Sequence, residues 1–80
     1  MPHEPHNSTR AVSTLCAGGE WAAAHGDFAG LRDVARRLQR YVPEAVDELH
    51  ALEAACRNDI DRASELWVQV QRRIATAARA

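Results

Sequence analysis

Eighty residues with a net charge of −1 allow one small domain, and the 46% apolar share is thinner than it looks because 16 of those residues are alanine. A single core of this size supplies only about 3–5 kcal/mol, so a disulfide, a metal or a partner is expected to supplement it. The first ten residues are polar and no apolar run nears the roughly 20 needed to cross a bilayer, which excludes a signal peptide or membrane span and predicts a cytoplasmic chain.

The opening Met1 to Asn7 holds Pro2 and Pro5 and no periodicity, so a disordered tail is predicted over 1–7 and one helical domain over 8–80. A first helix is expected from an N-cap at Ser8 or Thr9 to Ala24, with Val12, Leu15, Cys16, Gly19 and Ala23 on one stripe. Gly18 and Gly19 in its middle each cost about 0.8–1 kcal/mol relative to Ala. A helix packed too closely to admit a side chain accounts for them better than a break.

His25-Gly26-Asp27 reads as a turn, with Gly26 left-handed and Asp27 capping the second helix. That helix runs from Phe28 to about Tyr41, burying Phe28, Leu31, Ala35, Leu38 and Val42 while Arg32, Arg36 and Arg40 take another face. Pro43 suits the first turn of a third helix, which buries Val46, Leu49, Leu52 and Cys56. Asn58 is expected to end it in the left-handed position and Asp59 to cap the fourth, whose stripe is Ile60, Ala63, Trp67, Val70, Ile74 and Ala77. The fold class predicted is all-α.

Gly26-Asp27-Phe28 with Leu31, Ala35 and Leu38 is answered 32 residues later by Asn58-Asp59-Ile60 with Ala63, Trp67 and Val70. That unit resembles the tetratricopeptide repeat, although its period is shorter than the usual length of about 34 and Trp21 is out of register. The resemblance implies two consecutive helix-turn-helix hairpins, about 8–42 and 43–78, and gives Gly19 the place of a small residue at helix contact. Glu44-Ala45-Val46 through Arg57-Asn58-Asp59-Ile60 to Ala63 further resembles the small tetratricopeptide-like chaperones of type III secretion needle subunits, in which Glu-Ala-Val leads a helix ending in Arg-Gly-Asp-Tyr.

Other chemistry finds little purchase. His25 and His50 have no His or Cys three or four positions away, Pro2 removes the amide that an amino-terminal copper site at His3 would use, and no metal or other cofactor is expected. Cys16 and Cys56 are separated by 40 residues and read as small core residues rather than as a disulfide scaffold or nucleophiles. All ten basic residues are Arg, and eleven acids offset them, so Arg36-Arg37 and Arg72-Arg73 read as solvated helix faces and nucleic acid as an unfavoured partner. No catalytic order of side chains stands out, and no enzyme is expected.

The reading is therefore a non-enzymatic adaptor or chaperone that covers an amphipathic helix of another protein. By the resemblance, the client is a needle subunit, a second small chaperone joins it, and the first helix of each hairpin lines the groove. The expected contacts there are Leu15, Trp21, Leu49 and Leu52. The competing reading is a homodimeric regulatory or structural module that touches nucleic acid through its Arg-rich faces.

Overall fold

A computed structural model describes residues 4–79, with side chains from residue 9 to residue 77. Four α-helices succeed one another: α1 (Glu4–Ala24), α2 (Phe28–Tyr41), α3 (Val46–Asn58) and α4 (Ile60–Arg79), with a 3-10 turn at Pro43–Ala45 before α3. Among the described residues there is no strand, and the chain is all-α, arranged as helical hairpins.

α1 starts at Glu4, so Ser8 and Thr9 lie inside the helix rather than capping it, and the expected tail is helical from position 4. Pro5 falls in the first turn, where a missing amide hydrogen has no intrahelical partner to lose, and so it does not halt the helix. Residues 1–3, His3 among them, lie outside the described residues.

The first turn has the expected chemistry. Gly26 has φ +71°, and beyond it the Asp27 amide donates to Ala22 O at 2.8 Å, a hydrogen bond that closes the carboxyl end of α1. The Asp27 carboxylate then accepts from the Gly30 amide at 2.9 Å and caps α2. At the second turn Asp59 alone separates two helices. Its amide donates to Ala55 O at 2.7 Å, its carbonyl accepts from the Ala63 amide at 2.9 Å, and its carboxylate accepts from the Arg62 amide at 3.2 Å.

Asn58 corrects the sequence reading, because it stays within α3 and no described non-glycine residue has a positive φ. Its side-chain amide donates instead to Ala54 O at 3.3 Å. With Asp59 able to end one helix and begin the next, no left-handed residue is needed.

α2 packs against α1 on one side and α3 on the other, α4 lies along α3, and α1 meets α4 over a shorter stretch. The molecule measures 42 × 20 × 16 Å. Leu31, Leu38, Leu49, Leu52 and Val70 are its largest fully buried side chains, joined by Ala35, Ala45, Ala63, Leu66 and Trp67. Gly19 is buried where α1 meets α4, and a Cβ there would stand 2.5 Å from Cη2 and 2.7 Å from Cζ2 of Trp67. The close approach expected at this glycine thus comes from the Trp67 indole, which occupies the volume of the missing side chain.

Polar contacts hold the helix pairs in register at the rim. Glu53 of α3 accepts from Gln39 at 3.0 Å and pairs with Arg36 at 3.6 Å, both from α2. Gln71 of α4 donates to Glu20 of α1 at 3.0 Å, and Arg73 donates to Glu44 O at 3.3 Å while pairing with Glu48 at 3.7 Å.

Candidate partner-binding surface

The four expected contact residues separate into two pairs. Leu49 and Leu52 have no exposed surface at all: α3 is held between α2 and α4, so its apolar stripe faces the core and not a groove. They are core residues, which corrects their placement among the contacts of a partner. Leu15 is half-buried against the core, and Trp21 is 58% exposed.

Trp21 is held rather than loose. Its ring stacks on His25, with centroids 4.2 Å apart and planes at 18°, and His25 Nδ1 lies 2.8 Å from the Trp21 carbonyl oxygen, donating to it in the Nδ1-protonated tautomer. Both residues sit at the carboxyl end of α1, where the Trp21 carbonyl oxygen also accepts from the His25 backbone amide at 3.0 Å. The result is a broad apolar plate fixed at the surface.

A cavity of about 520 Å³ opens between α1 and α2, with Ala11, Thr14 and Leu15 on one wall and Arg36, Arg37, Arg40 and Tyr41 on the other. Tyr41 also borders a second hollow of about 210 Å³, where Val12 of α1 faces Ile74 and Ala77 of α4. In the larger cavity Arg37 is paired with Asp33 at 2.9 Å and Arg36 with Glu53, whereas Arg40 has no ion-pair or hydrogen-bond partner among the described residues.

Sequence reasoning missed Tyr41, Ile60 and Val68 as exposed apolar residues, at 38%, 54% and 46%. The repeat aligns Ile60 with Phe28, yet Phe28 packs on the core and Ile60 does not. Position 60 opens α4 immediately after a single connecting residue, while Phe28 comes after the wider Gly26 turn. Val68 lies off the buried stripe of α4, a signal present in the sequence. Tyr41 sits beside the Arg36 and Arg40 face of α2, which the sequence did separate from the core face.

The two thiols are partly buried. Burial raises the pKa of Cys16, and Glu20 adds to the rise; burial also raises that of Cys56, with Arg32 pulling it back and Glu53 pushing it further up. Both therefore stay protonated across the neutral range. Among the described residues, no three His, Cys, Asp or Glu side chains gather closely enough to hold a metal ion, and no helix is long and apolar enough to cross a membrane. No protein-family profile matches this sequence, and neither a curated protein nor a solved structure gives a match to it.

Proposed function

We propose that this chain is a non-enzymatic adaptor or chaperone that shields an amphipathic helix of a partner protein by occupying its apolar face. The observation that supports this reading is the outward-facing Trp21, stacked on His25 two turns along α1 from a cavity between two helices, on a domain whose own core is small. A large aromatic at the surface of a chain with few large apolar residues costs solubility, and a partner that covers it returns buried area to both molecules. The helical-hairpin scaffold suits this task because docked helices pack along helix seams. The resemblance to needle-subunit chaperones makes a type III secretion needle subunit the first client to test.

Co-expression with such a subunit, followed by native mass measurement, is the test. A 1:1 heteromer, or a 1:1:1 heteromer with a second small chaperone, supports the proposal. A homodimer that ignores the subunit refutes this client and favours the homodimeric module.

A further inference from the structure

We infer that the seam between α1 and α2, from Tyr41 at one end to Trp21 at the other, docks an acidic amphipathic helix of about ten residues. This rests on the adaptor reading above and adds to it a location and a charge.

The seam is continuous by helix geometry. Thr14, Gly18 and Trp21 succeed one another at spacings of four and three, and so share one face of α1. That face borders α2, because a Cβ on Gly18 would stand 4.0 Å from Cγ2 of Val34. Thr14 lines the 520 Å³ cavity, and Trp21 extends the same edge two turns beyond it. Gly18, exposed and without a side chain, leaves the floor low between them. From Ala11 to Trp21 the rise is about 15 Å, which roughly ten residues of a helix lying alongside would match.

Chemistry along the seam is two-sided. α1 offers Ala11, half-buried Leu15 and the Trp21 plate to an apolar face, while α2 offers a wall of guanidinium groups. Asp33 and Glu53 already engage two of these, which leaves Arg40 as the cation without a described partner. Arg40 matches a carboxylate on an incoming helix, and Arg37, one turn away, takes a second one by exchanging its exposed pair with Asp33. A polyphosphate is a poorer match, since the acids at Asp33 and Glu53 flank the wall and the whole chain carries a charge of −1. Trp, Tyr and Arg are also the side chains that most often dominate binding energy at protein interfaces.

The test uses fluorescein-labelled amphipathic peptides of about 16 residues, identical in their Leu and Phe face and carrying Glu, Gln or Lys along one edge. Fluorescence anisotropy should show the Glu peptide binding at least tenfold more tightly than the Gln peptide, with an advantage that shrinks as salt is added. Arg40→Glu should reverse the order in favour of the Lys peptide, Arg40→Gln should level it, and Trp21→Ala should weaken the Glu peptide at least fivefold, each with its helical circular dichroism intact. Equal binding of Glu and Gln peptides, or a preference unchanged by either Arg40 variant, overturns the inference. If that binding is still lost in Trp21→Ala, the adaptor reading survives alone. Failure of all three peptides to bind rejects both. A single-stranded oligonucleotide that displaces the Glu peptide, or a homodimer of this chain that Arg40→Glu dissociates, overturns the inference in favour of nucleic acid or a second copy.

Discussion

Gly18 and Gly19 are adjacent and their surroundings oppose each other. A Cβ at Gly18 meets nothing nearer than Val34 at 4.0 Å, so Gly18→Ala should raise stability by about 0.5–1 kcal/mol through helix propensity alone. A Cβ at Gly19 collides with the ring of a buried tryptophan, so Gly19→Ala should lower stability by about 1–3 kcal/mol despite the same propensity gain. Urea melts of the two variants check both signs. The sequence made the expense of these glycines visible, yet it did not reveal that only Gly19 lacks room for a side chain, or that Trp67 takes that room. It failed in a related way at Leu49 and Leu52, where periodicity showed an inward face without showing whether that face meets a core or a groove. The thiols carry a pH expectation. Their folded pKa values are raised, so their contribution to stability is intact below the ordinary thiol pKa and is lost as pH rises through the folded one. A Cys16→Ser and Cys56→Ser double variant should flatten that part of the alkaline decline in the urea midpoint.

Two turns built from the same residue type connect these helices by different means. Asp27 works with a left-handed glycine and receives the Gly30 amide at 2.9 Å; Asp59 works alone and receives the Arg62 amide at 3.2 Å. Asp27→Ala and Asp59→Ala should each cost about 0.5–2 kcal/mol, read as a lowered melting temperature with helicity retained. Both caps were legible in the sequence because the 32-residue repeat aligns them. The same alignment places Leu31, Ala35 and Leu38 opposite Ala63, Trp67 and Val70, and all six are buried. It breaks at Asn58 and Ile60, since a repeat of residue types carries no information on how many residues a turn consumes. The shorter second turn keeps Asn58 helical and brings Ile60 to the surface. The start of α1 was not legible because two prolines look like a barrier, although proline is tolerated in the first turn of a helix.

At the scale of the molecule, five large side chains among the described residues are fully buried, over an elongated body 42 Å long. The isolated chain should therefore be marginally stable, and a saturating acidic helical peptide should raise its melting temperature in proportion to the logarithm of peptide concentration. Calorimetric scans with and without the Glu peptide measure this, and a sharp, high transition for a proven monomer would count against a partner's contribution. The all-α class and the hairpin order were legible from length, periodicity and turn chemistry. The seam was not, because it arises where residues 11–15 meet 36–41 and Gly18 borders Val34, and no local pattern joins them. The contrast between the two tryptophans gives the molecule a built-in optical assay. Trp67, sealed against Gly19, should emit at short wavelength and shift to the red only when the helices come apart. Trp21, in water beside His25, should already emit at long wavelength and shift to the blue when its plate is covered. Unfolding and occupancy would then move the spectrum in opposite directions, so one cuvette distinguishes a chain that has lost its shape from one that has found its partner.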